Sequence, residues 1–208
     1  MQPKVKAAVL ASGSGSNLQA ILDELHGDPE IPLEVVLVLS DVNSAYALTR
    51  AAAAGVPTQV VRPRDHATRE EFDREVAAVL DQHGADLVIL AGFMRVFRAE
   101  FVRRYAGRIV NIHPALLPSF PGAHGIRDAF DYGVKVTGVT VHFVDEGVDT
   151  GPVIAQCAVA VDPDESLASL EAKIHAVEHE IYPETIRAVA EGRVTVAGRD
   201  VRVLGRRS

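Results

Sequence analysis

The sequence predicts an α/β chain: a Rossmann-like, mostly parallel sheet with helices on both faces and an antiparallel C-terminal part. Three observations predict it. Short apolar runs alternate with helical patterns over the first two-thirds of the 208 residues, which is the spacing of βαβ units. A Gly/Ser-rich turn, SGSGSN, follows the first apolar run. After Val134 the pattern changes to two long β-rich runs around an acidic, Gly-containing centre, which reads as an antiparallel pair.

Each element follows from local pattern. Val5–Ala11 is continuously apolar apart from Lys6, as in a strand buried on both faces. LQAILDEL reads as a helix, and Leu33–Ser40 as a second buried strand. NSAYALTRAAAAG gives a helix stopped at Gly55, a residue suited to the left-handed C-terminal turn. Thr58–Val61 is a short strand. Thr68 and Glu71 have the spacing of a capping box for a helix over Glu70–Gln82, with Phe72, Val76, Val79 and Leu80 inward. ADLVILAGF holds a strand, RAEFVRRYAG a short helix ending at Gly107, and RIVNI a strand. A helix over Leu167–Glu191, interrupted by Pro183, precedes VTVAGRDVRV, a hairpin turning at Gly198. The simplest organisation is one domain over 1–208, with a parallel nucleotide- or phosphate-binding part (1–113). The rest (114–208) supplies loops, antiparallel strands and the C-terminal helix.

Composition narrows the function. The net charge of -7 argues against a nucleic-acid binder. No apolar run approaches the roughly 18 residues of a membrane span, so a soluble, cytoplasmic protein is expected. The single cysteine, Cys157, rules out an intrachain disulfide and reads as a small buried hydrophobe. No His, Cys and Asp group has zinc-ligand spacing, so no metal is expected.

In parallel sheets ligands bind at the carboxyl ends of strands, so the loops after the strands carry the candidates. SGSGSN lies between a strand and a helix, where backbone N–H groups and the helix dipole suit a phosphate; a tight turn with an N-cap is the other reading. Leu18 stands where a dinucleotide fingerprint needs its third glycine, and no Gly-Lys-Ser is present. Asp41 reads first as a turn or N-cap acid, with a ribose-binding acid as the alternative. Asn111 and His113 share a strand face just before Pro114. An amide can donate to a developing oxyanion and an imidazole can carry a proton near neutral pH, a pairing suited to acyl transfer. A purely structural role weighs equally for this pair. His142 reads first as structural or supporting, with a catalytic role as the alternative. DEGVDTG is either a solvated acidic turn or the source of a carboxylate that pairs with His113.

The stretches VLASGSGSNLQAI, DLVILAGFMR, YAGRIVNIHPALLPSFPG, HFVDEGVDTGPVI and EHEIYP resemble, in order, those of the phosphoribosylglycinamide formyltransferases, folate-dependent enzymes of purine synthesis. NIHPALLP with a later DTGP is shared across folate formyl-enzymes, whereas GSGSNL and EHEIYP narrow the resemblance. It implies formyl transfer from the co-substrate 10-formyltetrahydrofolate to the amine of glycinamide ribonucleotide, without a metal. It implies Asn111, His113 and Asp149 as the catalytic set. It places Gly13, Gly15, Ser16 and Asn17 at the substrate phosphate, with His175 and Glu178 at the phosphate and ribose. It assigns Arg69, Met94, Arg95, Val96, Phe97 and Asn111 to the folate, together with the turn formed by Asp145, Glu146, Gly147, Val148 and Asp149. His175 departs from relatives that carry Lys there, and Ile126 falls in a stretch that is His-rich in relatives. Partners would be small molecules alone, without nucleic acid or membrane, and a homodimer is left open. Two other folate enzymes, methionyl-tRNA formyltransferase and formyltetrahydrofolate deformylase, are expected to need a further domain for which this chain leaves no room. A non-catalytic nucleotide-binding module would keep the Ser/Gly loop but need none of the catalytic set.

Overall fold

The computed structural model describes residues 3–205. In chain order the elements are β1 (Val5–Leu10), α1 (Ser16–Leu25), β2 (Leu33–Ser40), α2 (Tyr46–Ala53), β3 (Thr58–Val60), α3 (Arg69–Gln82), β4 (Leu87–Leu90), α4 (Ala99–Arg104), β5 (Ile109–His113), α5 (Gly125–Tyr132), β6 (Val136–Phe143), β7 (Val153–Ala160), α6 (Leu167–Ala190), β8 (Val194–Ala197) and β9 (Asp200–Val203). Seven strands form one sheet in the order β3-β2-β1-β4-β5-β6-β7. The pairs from β3 to β5 are parallel; β6 and β7 add on antiparallel. β8 and β9 form the separate terminal hairpin, with Gly198 at positive φ in its turn.

Strand alternation builds two cores on the two faces of the sheet. Val9, Ile89 and Val110 meet α1, α2 and α6 through Leu18, Ile21, Ala47, Ile174 and Ile186. Leu10, Val88 and Ile109 meet α3 and α4 through Phe72, Val76, Leu80 and Phe101. The order of strands reverses between β1 and β4, and this switch point opens a crevice at their carboxyl ends.

Several expectations are corrected. α6 runs unbroken through Pro183. The proline removes one backbone donor, but Ile174, Tyr182 and Ile186 bury the helix against the sheet on either side of it. Cys157 is only partly buried, because β7 is the edge strand. The capping box at Thr68 is half formed: Thr68 accepts from the Glu71 N–H, but the Glu71 carboxylate accepts from Ala67 N–H, one residue early. α5 has no counterpart among the expected elements.

Candidate active site

β1 ends at a loop where Gly15 adopts φ 70° and opens α1 without any side-chain cap. A side chain at Gly15 would be strained at this φ, and its Cβ would lie 2.7 Å from Ala47 Cα. The loop therefore nests against α2 and leaves the α1 N-terminus to the crevice, at the positive end of the helix. Ser12 Oγ accepts from Met94 N–H at 2.8 Å, which ties this loop to the one after β4.

β5 presents Asn111 and His113 at the adjacent strand end. His113 is 3% exposed. Its Nε2 donates to the Phe120 carbonyl at 2.8 Å, and its Nδ1 lies 3.5 Å from Asp149 Oδ2. The long-range approach of Asp149 to His113 is thus made at ion-pair distance. Asp149 also accepts from Gly122 N–H at 2.7 Å and takes φ 54°, unusual for a non-glycine residue. Burial alone would raise the Asp149 carboxyl. The His142 ring when it is protonated, the Gly122 N–H and the charge of His113 when it is protonated outweigh burial and hold it below the ordinary carboxylate value. The loop after His113 is pinned by Thr140, whose hydroxyl donates to Ala115 O and accepts from Leu117 N–H, and by Gln156, which donates to Leu117 O. Its next residues carry Phe120 and Gly122 back over His113 and Asp149.

α6 supplies the opposite wall. Asn17 Nδ2 donates to the buried Glu178 Oε2 at 3.1 Å, and His175 Nδ1 donates to the same oxygen at 2.8 Å. The hydrogen bond to Glu178 outweighs burial and raises the His175 pKa above the ordinary imidazole value. His175 therefore keeps positive charge to higher pH than an ordinary imidazole, although it stands where some relatives carry Lys.

These groups share one cavity of about 450 Å³. Its wall includes Gly13, Gly15, Ser16, Asn17, Met94, Arg95, Val96, Phe97, Asn111, His113, Asp145, Gly147, Val148, Asp149, His175 and Glu178. Arg69 and Glu146 are not in that wall. Arg69 donates to the Val96 carbonyl, and Glu146 pairs with Arg103. Asp41 neither caps α2, whose N-cap is Ala45, nor opens to the cavity; it is buried and pairs with Arg95 Nε at 2.7 Å. The wall also holds residues outside the expected set: Ser12, Phe93, Val144 and His142. Their signals were present, since Ser12 opens SGSGSN and His142 alternates with Val144.

Fold and site together fit a Rossmann-like group-transfer class, with an uncapped Gly/Ser loop and a polar Asn–His–Asp cluster facing one crevice. The chain belongs to the formyl transferase family: the sequence pattern described as Formyl transferase matches residues 5–186. It is 45% identical over 194 residues to the phosphoribosylglycinamide formyltransferase of Mycobacterium tuberculosis, covering 93% of this chain and 89% of that protein. It is also 45% identical over 197 residues to the trifunctional purine biosynthetic protein adenosine-3 of Drosophila melanogaster; the match takes in 94% of this chain but only 15% of that relative's length. The solved glycinamide ribonucleotide transformylase 1 from Symbiobacterium toebii superposes with a TM-score of 0.94 at 47% identity, covering 99% of this chain and 96% of that one.

Proposed function

We propose that the chain transfers the formyl group of 10-formyltetrahydrofolate to the primary amine of glycinamide ribonucleotide, giving formylglycinamide ribonucleotide for purine synthesis. The observation that carries this reading is the common wall: the uncapped α1 loop and the Asn111, His113 and Asp149 cluster line one cavity. The loop suits the ribonucleotide phosphate, and Glu178 suits the ribose hydroxyls. The apolar side of the wall, with Phe93, Val96, Phe97 and Val144, suits a flat folate ring, whose polar edge would meet the Asp145–Asp149 turn.

The chemistry follows from these positions. The amine attacks the formyl carbon, forming a C–N bond and leaving negative charge on the formyl oxygen. Asn111 donates to that oxygen. His113 is the second donor once its Nε2 leaves the Phe120 carbonyl, so the loop carbonyl and the substrate oxygen compete for one N–H. Asp149, kept as a carboxylate, lies 3.5 Å from the Nδ1 of His113 and would hold the ring in place. The bond from carbon to N10 then breaks, and the proton lost by the amine reaches N10 through His113 or a water. No covalent bond to the protein is required. Ligands in this reading are small molecules, without nucleic acid or membrane, in a cytoplasmic setting.

Release of tetrahydrofolate is the test. Incubation with 10-formyltetrahydrofolate is expected to release it only when glycinamide ribonucleotide is added. Release without the acceptor would make the chain a deformylase, and no release in either case would leave a binding module.

A further inference from the structure

The amide of Asn111 is aimed by an imidazole outside the expected catalytic set. On the antiparallel pair β5–β6, Asn111 lies directly opposite His142. Asn111 Nδ2 donates to His142 Nε2 at 3.2 Å, and His142 Nδ1 donates to the Phe143 carbonyl at 2.9 Å. A carbonyl only accepts, so the single proton of a neutral imidazole sits on Nδ1 and Nε2 is left as an acceptor. Asp149 Oδ1 is 3.7 Å from the same Nε2, beyond hydrogen-bond range, so Asn111 is its hydrogen-bonding partner. The Phe143 carbonyl is itself closely backed: a Cβ on Gly151 would fall 1.7 Å from its oxygen. His142 is 1% exposed, which leaves little room for water to substitute for either contact.

An acceptor at Nε2 dictates which end of the Asn111 amide faces it. With the amide reversed, Asn111 Oδ1 would oppose the Nε2 lone pair. In the observed orientation one N–H of Nδ2 goes to His142, and the second has no partner among the described residues, in a residue that lines the cavity. We propose that His142 is a positioning residue, fixing the Asn111 amide so that its second N–H serves the reacting formyl oxygen. The proposal rests on the formyl-transfer reading for the identity of that oxygen, but the His142–Asn111 contact stands without it.

Two measurements on the full chain test it. NMR of the protein labelled with ¹⁵N-histidine at neutral pH is expected to show His142 protonated at Nδ1 and bare at Nε2. A proton on Nε2 would overturn the proposal. Formyl-transfer kinetics then separate aiming from packing. His142→Phe fills the space without an acceptor, whereas His142→Gln can offer Oε1 near the place of Nε2. The Phe variant is expected to lose about 10- to 100-fold in kcat, less than loss of the donor itself, with KM for both substrates within about twofold. The Gln variant is expected to recover most of kcat. A normal kcat in His142→Phe, or an equal loss in both variants, would overturn the aiming role. If His142→Phe does not fold, the tautomer and the kcat of His142→Gln decide. If the wild-type chain transfers no formyl group, the functional reading fails, and the tautomer still decides the contact.

Discussion

Replacing Asn111 by Leu keeps much of the side-chain volume and removes both the N–H offered to the cavity and the bond to His142. The expected loss is about 10²- to 10³-fold in kcat, the effect of deleting one oxyanion donor. Steady-state kinetics on the folded variant measure it, and a near-normal kcat would remove Asn111 from the mechanism. His175 has a different signature. Its pKa is raised, mainly by the hydrogen bond to Glu178, so its positive charge persists above the ordinary His range and is lost as pH rises through the elevated value. KM for the phosphorylated substrate is therefore expected to climb over that interval in the wild type. The climb should be shallower in His175→Gln, which carries no charge at any pH. Profiles that superpose would show that His175 adds nothing to phosphate binding. Of the proposed catalytic set, Asn111 and His113 were legible because they interrupt an apolar strand with polar groups on one face, whereas Asp149 was singled out from Asp145 and Glu146 only by the family resemblance. The Arg69 and Glu146 assignments were not secure, because residues adjacent in a motif can turn outward. Glu146 leaves the wall for Arg103 while both of its neighbours in the turn remain in it.

At the scale of elements, α6 holds the site together. The Tyr182 hydroxyl, fully buried, donates within reach of two carbonyls, Leu90 O at 2.8 Å and Val110 O at 3.1 Å, near the ends of β4 and β5. Glu178 lies four residues earlier, on the same helical face. Burial and the Glu178 charge push the tyrosine pKa well above its usual value, so the hydroxyl remains a donor throughout the working pH range. Tyr182→Phe leaves those carbonyls without this donor and is expected to cost about 1–3 kcal/mol, read as a lower denaturation midpoint in urea. An unchanged midpoint would mean that the strand ends do not depend on this tether. Periodicity located α6 from sequence, but its continuity was misread. A proline forbids one backbone bond, and sequence alone does not reveal how much burial flanks it. α5 was missed for a related reason. Its eight residues follow a Pro- and Gly-rich loop, and its apolar positions Ile126 and Phe130 make sense only once a core is there to receive them. The parallel strands were legible because burial on both faces leaves near-continuous apolar runs, whereas the partial exposure of Cys157 depended on β7 being an edge.

Across the whole molecule, the cavity exists only when distant parts of the chain meet. Asn17 and Glu178 are 161 residues apart in sequence yet share a hydrogen bond. His113 ends the parallel part (1–113), whereas Asp149 belongs to the C-terminal part (114–208). The two cores also share one sheet, and α6 from the C-terminal part packs into the same core as α1 and α2. Local opening of either part would therefore dismantle the site, and a ligand that bridges the walls should stabilise the complete fold. We infer that 1–208 behaves as one cooperative domain. Glycinamide ribonucleotide at about 100 times its Kd is expected to add about 2.7 kcal/mol. For a chain of this size that is an upward shift of about 5–10 °C in Tm. Scanning calorimetry should show a single transition that moves as a unit with ligand. Two transitions, or a shift confined to one of them, would show that the parallel and C-terminal parts unfold independently. A single transition that the ribonucleotide does not move at saturating concentration would instead argue that the uncapped α1 loop and the α6 wall do not hold this substrate.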